Sequence, residues 1–360
     1  MQNNRYVAIM AGGIGSRFWP MSRNKLPKQF LDVLNTGTTL IQSTFRRFVS
    51  FVPAENIFII TFEEYAPLVE EQLPDLPKAN ILAEPSRKST APCVAYMAFK
   101  LLNRNPDAVF IVSPSDHLIL DEPGFTNICE RALQVADERD ALVTLGITPT
   151  YPNTGYGYIQ HEAEPVEDNV YRVKTFTEKP NAELAQAFLA SGDFLWNAGI
   201  FVWKASQVLD AFAQYLPEMF EVFAQERELF DTEDEKAALE RIYPQCVNIS
   251  IDYGIMEKAE NVHIIPASIG WSDLGTWNSA YESMDKDYLG NAVYGRNVMV
   301  IDAVKNMVHV PHDKLVLLQG LEDFVVVDTK DVLLICKKEK EQEIKDYMAE
   351  VKRNKGDRFL

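Results

Sequence analysis

The sequence predicts an α/β protein with a mainly parallel sheet, followed by a small all-β module. Three observations predict it. Short apolar runs alternate with amphipathic stretches as far as Leu145. The first apolar run passes directly into glycines. After about Asp285, strand-like runs recur every eight or nine residues. At 360 residues the chain exceeds one ordinary domain, so a division into 1–284 and 285–360 is expected.

Tyr6 to Met10 reads as a buried strand that feeds Gly12-Gly13, the way α/β proteins present backbone N–H groups to phosphate. Pro20 and Pro27 forbid a long helix, so residues 12–30 are expected to form an extended loop. A helix over about Thr39 to Phe48 and a strand over Ile57 to Thr61 follow. An amphipathic stretch near Ala91 to Leu102 leads to the strand Val109 to Val112. A helix over about Phe125 to Glu138 precedes the strand Ala141 to Leu145. This alternation places helices on both faces of the sheet. From Thr154 to Trp203 turns and aromatics dominate, which suits a substrate-shaping region. Residues 205–243 read as helical, with Glu226, Glu228, Asp231, Glu233, Asp234 and Glu235 on a solvated face. The runs near Val298, Met307, Leu315, Phe324 and Val332 suit either a meander or a few coils of a β-helix. Ile344, Tyr347, Met348 and Val351 lie at helical spacing and predict a docked surface helix.

Composition excludes several classes. Hydrophobic residues make up 47% and charged residues 24%, the balance of a globular chain. No apolar run approaches the ~20 residues of a membrane span. The start of the chain lacks the pattern of a secretory leader. With 35 basic and 52 acidic residues the formal charge is −17, a surface that repels nucleic acid and anionic lipid. Four scattered cysteines without a C-x-x-C suggest neither disulfides nor a zinc knuckle, and the cytoplasm is the expected compartment. The five histidines show no metalloprotease spacing, and no nucleophile elbow is present.

In so acidic a chain, a phosphate ligand needs a local basic patch. Arg17, Arg23, Lys25 and Lys28 supply one between Gly12 and Leu31, with no carboxylate among them. Gly12-Gly13-Ile14-Gly15-Ser16-Arg17 is not a Walker A loop. A dinucleotide fingerprint fails too, because its third glycine position is Phe18 and the prolines deny the helix. Val112-Ser113-Pro114-Ser115-Asp116-His117 puts a carboxylate at a strand's C-terminal end, where an α/β metal–phosphate site needs one.

The string from Ala11 to Arg23, with Pro27-Lys28-Gln29-Phe30, resembles the signature of sugar-nucleotide pyrophosphorylases, and its Trp-Pro-x-Ser-Arg resembles their mannose-1-phosphate guanylyltransferase branch. Further landmarks recur in the family's order. They are Glu84-Pro85-Ser86-Arg87-Lys88-Ser89-Thr90-Ala91-Pro92, Ser115-Asp116, Thr154-Gly155-Tyr156-Gly157, Glu178-Lys179-Pro180, Trp196-Asn197-Ala198-Gly199, Ser250 to Glu257, and Gly270 to Trp277.

The resemblance implies a Rossmann-like, glycosyltransferase-A-like catalytic domain and a short β-helix-like C-terminal module. It implies transfer of GMP from GTP to mannose 1-phosphate, with Mg2+ held by Asp116 and Asp273. Arg17 and Lys28 would cover the departing pyrophosphate, and Lys179 would orient the sugar phosphate. Ala11, Gly12, Gly13, Gly15, Ser16, Glu84, Pro85, Thr90 and Ser115 would bind the nucleotide. Gly155, Tyr156, Glu178 and Asn197 would hold the sugar. Lys88-Ser89 stands where the family carries Arg-Asn, which leaves base contacts open, as it does glucose, heptose or fucose 1-phosphate as substrate. A regulatory homologue without activity would have lost the lysine, the arginine or the carboxylates, and all are present. The C-terminal module either closes the catalytic core or makes a homodimer contact. The chain has no room for the isomerase domain of some relatives, so one activity is expected. Removal of Lys28 or Asp273 is expected to abolish turnover with little loss of folding.

Overall fold

A computed structural model describes residues 4–360. Met1 to Asn3, on which the leader reading partly rested, lie outside the described residues. The strands of the main sheet are β1 (Arg5–Met10), β2 (Ile57–Phe62), β3 (Ile81–Glu84), β4 (Val109–Pro114), β5 (Leu142–Ile147), β6 (Gly157–His161), β7 (Tyr171–Glu178), β8 (Phe194–Lys204) and β9 (Val262–Ala267). Their order is β3-β2-β1-β4-β8-β5-β9-β7-β6, and β6 also pairs with β8. The ladders among β1 to β4 and between β5 and β9 are parallel; β7 and β8 run against the others. The sheet is therefore mainly parallel, as its alternating pattern predicts.

The helices are α1 (Leu40–Val49), α2 (Ala66–Gln72), α3 (Thr90–Arg104), α4 (Glu122–Glu138), α5 (Ala182–Ser191), α6 (Ala205–Tyr215), α7 (Pro217–Glu226), α8 (Glu235–Ile242), α9 (Trp277–Ser283) and α10 (Ile344–Lys355). Local chemistry starts them. Asp121 accepts from Gly124 N at 3.0 Å and caps α4, and Thr276 with Ser279 forms a reciprocal capping box on α9. None of these helices is long and apolar enough to cross a membrane.

The chain divides into two compact units that interleave in sequence. The first comprises the segment up to Gly12, Phe45–Ser115 and Ile119–Trp271. The second comprises Gly13–Thr44, Asp116–Leu118 and Ser272–Leu360. In the first unit, Tyr6, Ala8, Phe110, Val112 and Trp203 share a core with α3, α6 and α7. Their strand neighbours Val7, Ile9 and Ile111 point to the opposite face and are equally buried, and α4 packs on β4, β5 and β8.

One sequence expectation for this unit is corrected. Asp231 and Glu235 do not belong to a solvated face. The fully enclosed Lys100 Nζ lies 2.7 Å from Asp231 Oδ1 and 2.5 Å from Glu235 Oε1, and the Tyr96 hydroxyl donates to Glu235. A buried ammonium needs carboxylates, and here they come from a segment remote in sequence.

The second unit has its own core, in which Phe18, Trp19, Leu40, Leu274 and Trp277 meet Met307, Val325, Val327 and Ile344. Its C-terminal strands are β10 (Ala292–Tyr294), β11 (Val298–Ile301), β12 (Met307–His309), β13 (Val316–Gln319), β14 (Phe324–Asp328) and β15 (Leu333–Lys337). Parallel ladders join β10 to β12, β12 to β14 and β11 to β13; only β15 pairs antiparallel, with β14. Parallel stacking decides for β-helix coils over a meander. Two buried asparagines lock the corners: Asn306 Nδ2 donates to Asn291 Oδ1 at 3.0 Å, and Asn306 Oδ1 accepts from Phe324 N at 2.9 Å. The expected terminal helix is α10, docked through Ile344, Tyr347, Met348 and Val351. Within this unit the module closes a core that the glycine loop shares.

Candidate active site

In the second unit the loop after β1 is extended, interrupted by short turns at Ser16–Phe18 and Lys28–Phe30. Gly15 has φ +68°, and a Cβ there would lie 2.3 Å from Lys28 Cβ, so only glycine fits. At Gly13 a Cβ would meet nothing within 4 Å, so the protein itself sets no need for glycine there.

Lys28 organises this cluster. It is 3% exposed, and its Nζ contacts Asp116 Oδ2 at 2.8 Å, Asp273 O at 3.0 Å and Leu274 O at 2.8 Å, a partner for each ammonium hydrogen. Leu274 takes a φ of +44°, a left-handed backbone that a leucine adopts only when its surroundings impose it. Asp273 Oδ1 accepts from Gly275 N at 2.9 Å. Burial would raise the Asp116 pKa, but the charges of Lys28 and His117 and the hydrogen bonds to the carboxylate outweigh it and hold it below the usual carboxylate range.

Two carboxylates with carbonyl neighbours form a hard-oxygen donor set, which suits a small divalent cation that keeps several of its waters. Among the described residues no larger group of metal-ligating side chains is gathered.

The predicted basic patch divides. Arg17 lies in the Ser16–Phe18 turn, with its Nε buried and lacking a hydrogen-bond partner. Arg23 instead forms a fork onto Asp331 at 2.6 and 3.1 Å and also reaches Thr329 Oγ1 and Pro20 O, so it ties the loop to the β-module. Lys25 is exposed. A cavity of about 590 Å³ in this unit is lined by Pro20, Met21, Arg23, Lys25 and Asp331, and by none of the predicted site residues.

In the first unit, Ala11 continues the β1 ladder: its N–H donates to Ile60 O at 2.7 Å and its O accepts from Thr61 Oγ1 at 2.9 Å. A Cβ at Gly12 would come within 3.7 Å of Glu84 Oε2. Glu84 is buried and accepts from the Tyr243 hydroxyl at 2.9 Å. Burial pushes its pKa up to about 7, and the tyrosine bond offsets only part of that. Thr90 opens α3 and accepts from Ile251 N at 2.8 Å, so its hydroxyl is engaged in the fold. Before it, Ser89 has φ +64°, and Lys88 Nζ donates to Cys246 O at 2.9 Å. Ser115 is buried at the end of β4, with its N–H on Met10 O at 3.0 Å. Pro85 lines a small cavity with Tyr96 and Leu239.

The same unit brings Tyr156, Glu178, Lys179 and Asn197 together. Lys179, at φ +49°, donates its N–H to Tyr156 O and its ammonium to Glu178. A Cβ on Gly157 would lie 2.4 Å from Glu178 Oε2. The Tyr156 ring packs edge-on against Trp196 and Trp271, with centroids 5.0 and 5.3 Å away. Gly155 is exposed in a turn held by Asn153 Oδ1.

Sequence reasoning left Asp252 without a role. The structure sets its Oδ1 2.8 Å from Asn197 Nδ2, while Asn197 Oδ1 accepts from Gly199 N at 3.0 Å. Asp252 begins a π-helical turn, Asp252–Met256. Burial and the nearby Glu178 raise its pKa, and burial, Glu178 and Asp252 raise that of Glu257. The signal that could have found Asp252 is its place in the Ser250 to Glu257 landmark.

Comparison with known proteins agrees with this geometry. A family described as nucleotidyl transferase matches residues 6–288, and one described as MannoseP isomerase/GMP-like beta-helix domain matches residues 295–351. The chain is 36% identical to mannose-1-phosphate guanylyltransferase 2 of Escherichia coli O157:H7, over 96% of this chain and 73% of that protein. It is 39% identical to the alginate biosynthesis protein AlgA of Pseudomonas putida, over 94% of this chain and 70% of that protein. The crystal structure of mannose-1-phosphate geranyltransferase from Thermus thermophilus superposes with a TM-score of 0.86 at 30% identity, covering 97% of this chain and 99% of that one. Enzymes of this family act on nucleoside triphosphates and sugar phosphates and generally use a divalent metal. The chain belongs to the nucleotidyl transferase family, among relatives named mannose-1-phosphate guanylyltransferase.

Proposed function

We propose that this enzyme transfers GMP from GTP to α-D-mannose 1-phosphate, releasing pyrophosphate and GDP-mannose. The observation that carries the reading is the Lys28 cluster, in which one enclosed ammonium gathers the Asp116 carboxylate and the Asp273 loop beside a glycine-rich turn. Both substrates are polyanions, so catalysis is mostly charge neutralisation and alignment. The sugar phosphate oxygen is already ionised at neutral pH and attacks the α-phosphorus in line; no protein nucleophile is needed.

Asp116 and Asp273 would hold Mg2+, which when bound offsets the phosphate charge. Arg17 would stabilise the departing pyrophosphate, joined by Lys28 where its present partners release it. Open space at Gly13 suits close approach of a triphosphate, with Gly15 and Ser16 shaping the turn. Ala11, Gly12, Glu84, Pro85, Thr90 and Ser115 are assigned to the nucleoside. Lys179 is assigned to the sugar phosphate, and Gly155, Tyr156, Glu178 and Asn197 to the sugar. We assign catalysis to 1–284 and take 285–360 as a β-module that also supplies a homodimer contact. Free, mostly buried cysteines suit a reducing compartment, and we place the activity in the cytoplasm.

The test is a matrix of nucleoside triphosphates against mannose, glucose and fucose 1-phosphates, with Mg2+ and with chelator, following pyrophosphate release. GTP with mannose 1-phosphate should be turned over fastest, and chelator should abolish the reaction. A different preferred pair would overturn the substrate assignment. Near-wild-type turnover by Asp273→Ala would overturn the metal assignment. Size-exclusion with light scattering tests the dimer.

A further inference from the structure

The C-terminal helix returns to the glycine loop within the second unit. Helix α10 packs against the Ser16–Phe18 turn that carries Arg17. The segment after it is pinned to the same loop: Trp19 Nε1 donates to Phe359 O at 2.7 Å, and Trp277 Nε1 donates to Trp19 O at 3.3 Å. Arg23, forked onto Asp331, is a third anchor. The first turn of α10 carries Lys345.

Two cations are thus held near one another with little to neutralise them. Arg17's charge, more than burial, holds the Lys345 ammonium below the usual lysine range. The Arg17 Nε is buried without a hydrogen-bond partner. The nearby carboxylate, Glu341, is committed elsewhere: it is buried, and its Oε2 accepts from Asn278 N at 2.7 Å. Lys345 also stands at a helix N-terminus, where the backbone dipole disfavours a cation. A second positive charge is kept beside a first, at a position where the helix opposes it. An anion bound between them would relieve both repulsions.

We infer that Lys345 binds the polyphosphate of the triphosphate and of released pyrophosphate, alongside Arg17. This rests on the functional reading above and adds a residue from the C-terminal module to the phosphate cradle. Residues remote in sequence would thereby make leaving-group binding depend on docking of α10.

The test compares Lys345→Met and Lys345→Arg with wild type, in the forward direction and in the reverse direction with inorganic pyrophosphate and GDP-mannose. Lys345→Met should raise KM for GTP and for pyrophosphate about tenfold, as loss of one charge-assisted contact would. KM for mannose 1-phosphate and the thermal midpoint should stay unchanged, since Lys345 is exposed. Lys345→Arg should restore most of the loss. Wild-type KM values for GTP and pyrophosphate in Lys345→Met would overturn the inference, as would an equal rise for mannose 1-phosphate. Calorimetric titration of each protein with magnesium pyrophosphate separates this from the functional reading. If wild type made no GDP-mannose, that reading would fail. Weaker pyrophosphate binding by Lys345→Met would still support the lysine's role, and equal binding would refute it.

Discussion

Lys28 and Asp116 form an ion pair of 2.8 Å in which the lysine side chain is 4% exposed and the aspartate 28%. The same ammonium closes onto the carbonyls of Asp273 and Leu274, some 245 residues away in the chain. Lys28 is therefore a strut as well as a phosphate ligand, and the expectation that its loss would spare folding does not suit this geometry. Lys28→Met would leave a partly buried carboxylate and two carbonyls without their donor. We expect a loss of about 3 kcal/mol in denaturant unfolding, with turnover lower by at least about a hundredfold. Unfolding at the wild-type denaturant midpoint would refute the strut.

Asp252 accepts from Asn197 Nδ2, and as a carboxylate it can only accept, so it fixes which end of the amide faces it. Asp252→Asn keeps the shape and removes that constraint. KM for mannose 1-phosphate should rise several-fold while KM for GTP stays constant. A parallel change in both constants would show that Asp252 supports the fold generally and does not position Asn197.

Glu84 has a folded pKa of about 7 against an ordinary 4.5, raised first by burial. Between these values the native state keeps a proton that the unfolded chain has lost. The stability it contributes is full below pH 4.5 and is lost as pH rises through 7. Glu84→Gln should match wild type in thermal midpoint below pH 4.5 and exceed it above pH 7. Midpoint curves that run parallel across this range would rule the raised pKa out.

His309 gives the opposite slope. It is buried against Tyr294, centroids 4.2 Å apart, with neither ring nitrogen hydrogen-bonded, and burial pushes its pKa down to about 4 from 6.5. Its neutral form supports the fold fully above pH 6.5, and that support is lost as pH falls through 4. His309→Phe should lose less stability than wild type between pH 6.5 and 4, measured by denaturant unfolding. An identical acid slope would mean that the ring is solvated in the native state.

The order of strands and helices was legible because each rests on local periodicity. Tyr6 to Met10 is apolar throughout and becomes a central strand, and the Thr276–Ser279 pair caps α9 by itself. Which candidates matter was legible as well, since Lys28, Asp116, Glu178 and Asp273 stand in short motifs whose spacing is written in the chain. What these residues do to one another was not. Arg23 and Lys28 are five residues apart in one basic loop, yet one forks onto Asp331 and the other closes on Asp116. Asp231 and Glu235 read as solvated until Lys100 meets them.

The sequence by itself determined the element order, the glycine loop and the chemical types available to the site. Only the tertiary structure decided that residues 13–44 fold with the C-terminal module, that Asp252 orients Asn197, and that Arg17 and Lys345 face each other across one turn. The physical reason is range. Backbone preference and hydrophobic period act over a few residues, whereas charge pairing, burial and pKa depend on neighbours that only packing brings close.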